Sequence, residues 1–368
     1  MAEYVVGTLA ELTNVLPRVV PGDTVRIRGG IYQPTSQIIP QNSGISGNPI
    51  TYEAYPNEKV VFDGSLATEA SLGGGWQPPL LRVNGNWNVL RNIEERYSPG
   101  AGVQVYGTDN VLDHVEAHHN NGLGANSYGN RCRFLYCVAH DNVDPQATIP
   151  GGDADGLGAS APSSGSYFLG CLSYRNSDDG IDVYGANDAL IEKCVAHSNG
   201  LLQGDGEGFK LGVGTGNRAV KCVAYNNRAS GLILDGATLG VADHCTAWAN
   251  GDVGIQNWGN MRATYSNNIG TFNKHEVATP TEISNSWNLG ITDPRFLSTD
   301  PASSDFLSLR ADSPCRGKAS DGTDIGALQY GEKINDLLAP PTPISPLGWI
   351  LPIGLPIGVG LGFIYLWG

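Results

Sequence analysis

Charge is scarce in this sequence, and positive charge is scarcer still. Only 16% of the 368 residues are charged, and 22 Lys and Arg stand against 36 Asp and Glu, for a net charge of −14. That balance excludes a nucleic-acid partner, whose phosphates would need Lys and Arg. An anionic ligand would have to be held through a cation or a local basic strip. The amino terminus, MAEYVVGTLAEL, lacks the basic start and apolar core of a secretory signal. The expectation is therefore a trimmed chain, or one that leaves its cell by another route as a virion component would, and that works outside the cell or at its surface. Seven cysteines leave at least one unpaired, which excludes a closed disulfide framework. Zinc-type Cys/His spacing and the EF-hand pattern are both missing.

What is present is glycine, 50 residues of it, and a repeat. VEAHHN (115–120), CVAHDN (137–142), CLSYRN (171–176), CVAHSN (194–199), CVAYNN (222–227) and CTAWAN (245–250) each place a small apolar residue five positions before an asparagine. The spacings between those asparagines are 22, 34, 23, 28 and 23, a base period of 22 to 23 with two enlarged units. NVLRNIEERYS (88–98) fits the same frame earlier, and NNIGTFN (267–273) looks like a last degenerate copy. A second column follows each asparagine: a glycine, then apolar Leu157, Ile181, Phe209, Leu232 and Ile255, then a position that varies freely. This period-2 alternation marks short strands with one buried face.

Two or three short strands per 22-residue unit cannot make a helical solenoid; they predict an all-β fold, a parallel β-helix with coils about 4.8 Å apart. Cys137, Cys171, Cys194, Cys222 and Cys245 then form an inward column of small hydrophobes. A disulfide reading is disfavoured because stacked side chains point the same way. The asparagines are expected to sit at a turn in the left-handed region, with amides bonding from coil to coil.

Residues 1–49 read as an N-terminal cap and first strands, with a short capping helix within LAELTNVLPRVV. Residues 50–275 read as the coils that carry the site, and 276–331 as a closing segment of short strands. A Pro-rich linker over 332–346 leads to an apolar tail, LGWILPIGLPIGVGLGFIYLWG (347–368). The tail is long enough to span a bilayer, but Pro352, Pro356 and the lack of flanking Lys or Arg weaken a membrane helix. Membrane anchoring and self-association through this tail stand as alternatives.

The frame also locates NSDDGIDVYG (176–185), where Asp178, Asp179 and Asp182 crowd together. Aligning Gly156, Gly180 and Gly208 stacks Asp155, Asp179 and Glu207 on successive coils and sets Asp182 one coil from Lys210, facing outward. Carboxylates clustered this way need something positive among them. An oxygen-only set suits a hard cation such as Ca²⁺, against the plainer reading that an Asp pair decorates a turn. A nearby cation would favour the free amine of Lys210 and the carboxylates would favour its ammonium, so the residues alone leave its role open.

GDTVRIRGG, NPITYEAYPNEKVVFDGS, ADG, NSDDGIDVY and GFKLG, spread over roughly residues 20 to 270, resemble in type and order the calcium-dependent pectate lyases of polysaccharide lyase family 9. The resemblance implies a right-handed parallel β-helix. It implies that Asp155, Asp178, Asp179 and Asp182 hold a catalytic Ca²⁺ and that Lys210 is the Brønsted base. The chemistry implied is β-elimination on a 4-linked uronic acid polymer, polygalacturonate first, which makes an acidic polysaccharide the expected partner. Arg175, Arg228, Lys193 and Lys221 are further candidates for substrate contact, and Gln256 and Trp258 for a hydrogen-bonding and stacking subsite. The alternative is a non-catalytic structural or adhesive β-helix, a surface fibre or virion protein with a structural calcium. Carbohydrate binding without cleavage is a third reading.

Overall fold

The computed structural model describes residues 1–236, 239–259, 262–270, 274–275 and 281–340. The apolar tail 347–368 and residues 341–346 of the Pro-rich linker lie outside the described residues, as do residues 271–273 of the last repeat. Among the described residues no helix is long and apolar enough to cross a membrane.

Each coil supplies one strand to a nine-stranded sheet and two to a larger sheet, as Leu157–Ala159, Tyr167–Leu169 and Leu172–Tyr174 do in one turn of the chain. All pairings between named strands are parallel, so the whole is a right-handed parallel β-helix, the hand expected of parallel crossovers. Leu157, Ile181, Phe209, Leu232 and Ile255 lie in register and are fully buried. Each such side chain stabilises the fold by about 1.5–3 kcal/mol on leaving water.

The cysteine column is inward and every cysteine is free. Each thiol meets a backbone carbonyl of the preceding coil, as Cys171 Sγ does with Phe134 O at 3.3 Å and Cys222 Sγ with Ile191 O at 3.4 Å.

The asparagine ladder exists, but with one difference from expectation. The residue in the left-handed region is the one before each asparagine: His119, Asp141, Arg175, Ser198, Asn226 and Ala249 all have φ between 53° and 57°. That preceding side chain faces outward, where any residue type fits. The asparagine itself must point inward to bond along the stack. Asn142 Nδ2 donates to Asn176 Oδ1 at 2.9 Å, Asn176 to Asn199 at 3.0 Å, and Asn199 to Asn227 at 2.9 Å. Each Oδ1 also accepts the backbone N–H of the asparagine one coil before, as Asn199 Oδ1 does from Asn176 at 3.1 Å. Gly180 shows why glycine follows in the repeat: a Cβ there would come within 2.8 Å of Asn199 Nδ2 and 2.5 Å of Gly208 O.

The open N-terminal end is covered by the helix Leu9–Val15, which buries Leu12 and Val15. Thr8 caps it, accepting from Glu11 N at 3.2 Å while Glu11 Oε2 accepts from Gly7 N at 2.7 Å. The closing segment departs from the short strands expected over 276–331. Beyond Thr281–Ile283 it is mostly irregular, with isolated bridges Phe296–Leu309 and Ser298–Phe306, and the stretch read as the start of the linker instead forms a helix, Ile334–Leu338. It lies along the outside of the coils, where Phe306, Leu328 and Leu337 pack with Val195 and Val223. Covering an apolar outer face requires side chains in place, not a continued ladder.

Candidate active site

The outward column of the nine-stranded sheet carries the candidate site. Pairing runs Gly158–Asp182–Lys210–Ile233–Gln256, one residue per coil. Asp155 and Asp179 occupy the turns leading into these strands, each just before the glycine locked against the asparagine ladder. Their side chains knit the turns together: Asp155 Oδ1 accepts from Asp179 N at 3.0 Å, and Asp179 Oδ1 accepts from Glu207 N at 2.7 Å. Asp178 Oδ1 accepts from Asp205 N at 2.6 Å.

One carboxylate oxygen from each of Asp155, Asp179 and Asp182 lies within 4.8 Å of the other two. Lys210 Nζ sits 3.2 Å from Asp179 Oδ2 and 2.8 Å from Asp205 Oδ2. Asp182 Oδ1 and Glu207 Oε2 are buried without any hydrogen-bond donor, and Asp179 Oδ2 has only its ion-pair contact with Lys210. Unpaired buried acceptors of this kind are costly.

Protonation equilibria register the same imbalance. Burial, then Asp179, pushes the Asp178 carboxyl up to about 8 against the pull of Lys210. Burial also raises Asp182 to about 8, Lys210 opposing it and Asp179 and Asp235 adding to it. Glu207 is driven to about 10 by burial and by Asp179, and Asp155 lies well above the usual carboxylate range through burial and Asp182. Burial pulls Lys210 down, but Asp179, Asp182 and Asp205 outweigh it and hold the ammonium. One lysine does not neutralise this many acids. The donor set is all oxygen, with two orphaned buried oxygens, and the converging Asp155, Asp179 and Asp182 fit a hard divalent cation; Asp178 stands outside that trio, its Oδ1 taken by Asp205 N.

The remaining candidates fall elsewhere. Arg175 lies on a bend, 60% exposed, and donates to Asp141 Oδ1 of the preceding coil at 2.8 Å rather than to the pocket. Arg228 bonds Leu202 O at 3.2 Å and Gly204 O at 2.6 Å, so it braces the loop that carries Asp205. Lys193 and Lys221 take φ of 54° and 53° at the bend between the two strands of the larger sheet, away from the pocket's sheet. Gln256 is in the outward column but only 4% exposed, because it folds back to accept from Ser230 Oγ at 2.7 Å. Trp258, in register with Asp235, is 50% exposed and free to stack.

Two residues of the site escaped the repeat reading. Asp205 precedes the aligned column and reaches Lys210 only through its loop. Tyr184, two residues after Asp182 and so on the same outward side, is 55% exposed, and Gly212 opposite it leaves its ring uncovered. Alternation counted onward from Asp182 would have found it.

Comparison with known proteins agrees with this architecture. Residues 4–282 match the family model described as Pel9A-like, right handed beta helix region. The chain is 29% identical to pectate lyase L of Paenibacillus polymyxa (strain SC2) over 92% of its length and 80% of that protein. It is 26% identical to pectate lyase PEL9 of Emericella nidulans, over 76% and 78% of the two chains. The crystal structure of pectate lyase Pel9A superposes with a TM-score of 0.73 at 24% identity, over 90% of this chain and 96% of that one. The chain belongs to the Pel9A-like right-handed β-helix family and is a pectate lyase-like polysaccharide lyase.

Proposed function

We propose that the chain cleaves a 4-linked uronic acid polymer by calcium-dependent β-elimination, with polygalacturonate as the first substrate to test, and that it acts outside the cell or at its surface. The observation that carries this reading is the pair of donor-less buried oxygens in the carboxylate pocket, one on Asp182 a coil from Lys210 and one on Glu207 of Lys210's own coil. Two relatives named as pectate lyases support the substrate class.

Asp155, Asp179 and Asp182 would hold the ion, with Asp178 and Glu207 at its edge. When bound, Ca²⁺ supplies Lewis-acid polarisation of a sugar carboxylate, which makes the adjacent C5 proton more acidic. Lys210 is the base in this reading. In the metal-free pocket the acids hold it as an ammonium. Once their charge is neutralised, burial is the influence left, and burial favours the free amine. The amine takes the proton from C5, a C4–C5 double bond forms, and the C4–O bond breaks with its electrons leaving on the glycosidic oxygen. Asp205 and Asp179 orient Nζ, and Arg228 positions the Asp205 loop. Tyr184 and Trp258 offer exposed rings on either side of Lys210 for the apolar faces of sugars.

The test is ultraviolet detection of the unsaturated product from polygalacturonate, with calcium or chelator. Wild type should cleave only with calcium, and Lys210→Ala should be slower by about 10²–10⁴-fold. Cleavage that survives chelation, or that Lys210→Ala leaves intact, would sink the mechanism. Absence of product on every uronate polymer would point to the non-catalytic scaffold.

A further inference from the structure

A second cluster of metal-ligating side chains lies on the larger sheet, apart from the acidic pocket. His118 and His140 hold matched positions on successive coils, and their rings stack at 4.6 Å, 8° from parallel. His119, on the bend with φ 56°, sets its ring at 78° to one and 84° to the other. One ring nitrogen from each of the three lies within 4.8 Å of the other two. His118 Nδ1 and His119 Nδ1 are 2.6 Å apart, and two lone-pair atoms this close require a proton or a cation between them.

The far side of the imidazoles is organised as well. Glu94 Oε1 lies 3.2 Å from His118 Nε2, and Glu116 Oε1 lies 3.2 Å from His140 Nε2. For His118 a carboxylate on Nε2 makes that nitrogen the donor and leaves Nδ1 as the ligand, which is the usual support of a metal-bound histidine, whereas His140 meets a carboxylate oxygen at each ring nitrogen. Asp141 Oδ2 stands 2.8 Å from His140 Nδ1, while its Oδ1 accepts from Arg175 Nε at 2.8 Å. Glu94 is itself paired with Lys59 and Arg96. The acids around the imidazoles are thus held as orienting partners, and Asp141 is left with an oxygen facing the nitrogens.

We propose that His118, His119 and His140, with Asp141 as an oxygen donor, form a second metal site that takes a borderline transition ion such as Zn²⁺. Three imidazoles with one carboxylate suit zinc and not calcium, which prefers oxygen alone. The two stacked rings lie 8° from parallel, so a shared ion would require them to rotate toward a common point, while His119 approaches from the bend at a steep angle to both. Bound there, the ion would tie two successive coils together, since His118 and His140 stand on adjacent coils.

The test is calorimetric titration of the full chain with Zn²⁺ in saturating Ca²⁺, which removes the acidic pocket from the competition. Wild type should bind one equivalent and melt at a higher temperature with zinc. His119→Asn keeps a residue that tolerates the left-handed bend, and it should lose both effects while melting like wild type without zinc. Glu116→Gln should weaken zinc binding roughly 10–100-fold by releasing the support on His140. No stoichiometric zinc uptake by wild type, or uptake unchanged in His119→Asn, would overturn the site.

Discussion

The asparagine ladder and the acidic column stand on one frame, one residue per coil at the same repeat spacing, and they behave oppositely. A side-chain amide both donates and accepts. Stacked copies therefore satisfy one another, as Asn142, Asn176, Asn199 and Asn227 do at 2.9 to 3.0 Å. An ionised carboxylate only accepts. Stacked copies cannot satisfy one another, and Asp155 and Asp179 turn instead to the backbone N–H groups of Asp179 and Glu207, leaving Asp182 Oδ1 and Glu207 Oε2 with none. One ladder closes on itself and is structural. The other needs an outside cation and is thereby a site. The rigidity of the first holds the second in place, since Gly180, next to Asp179, is pressed against Asn199 Nδ2.

The contrast can be broken most sharply in the ladder. Asn199→Ala removes the acceptor of two N–H donors of Asn176 and the donor to Asn227. Stranding such groups in the interior should cost about 3 kcal/mol in a denaturant titration. A loss well under 1 kcal/mol would mean that water replaces the amide and that the ladder is not self-contained.

The acidic column should respond to pH, with a definite sign. Asp178 and Asp182 titrate near 8 in the folded, metal-free chain and near 3.8 when unfolded. Between those values the folded state binds more protons, so stability should fall as pH rises from about 4 to 8 in chelator. Calcium should cancel or reverse that fall, and Asp182→Asn should flatten it. Melting temperatures across this range, with and without calcium, decide the matter; a metal-free chain that grows more stable toward pH 8 would contradict the pocket's electrostatics.

The smallest effect is expected where the repeat reading placed a substrate contact that the fold does not. Arg175→Ala should change stability by less than about 1 kcal/mol, as for an exposed ion pair, and should leave the KM for polygalacturonate unaltered. A raised KM would return Arg175 to the substrate path.

Much of this was legible beforehand for a simple reason. A β-helix converts sequence separation into spatial neighbourhood at a constant period, so aligning glycines amounts to aligning strands. The coils, the inward cysteine and aliphatic columns and the pairing of Asp182 with Lys210 all follow from that alignment. Alternation assigns a face, but it does not choose a side chain's partner. It did not show that Gln256 folds back to Ser230 or that Arg175 turns to Asp141. Nor did it show that Arg228 braces the loop which brings Asp205 to Lys210.

The sequence by itself determined the solenoid, its period and the crowding of carboxylates near one lysine, because these depend on spacing alone. Only the tertiary structure decided which residue takes the left-handed bend, which oxygens stay without donors, and which histidines from separate repeats meet. Those outcomes depend on side-chain direction at the bends and on loops of unequal length, and no repeat period encodes either.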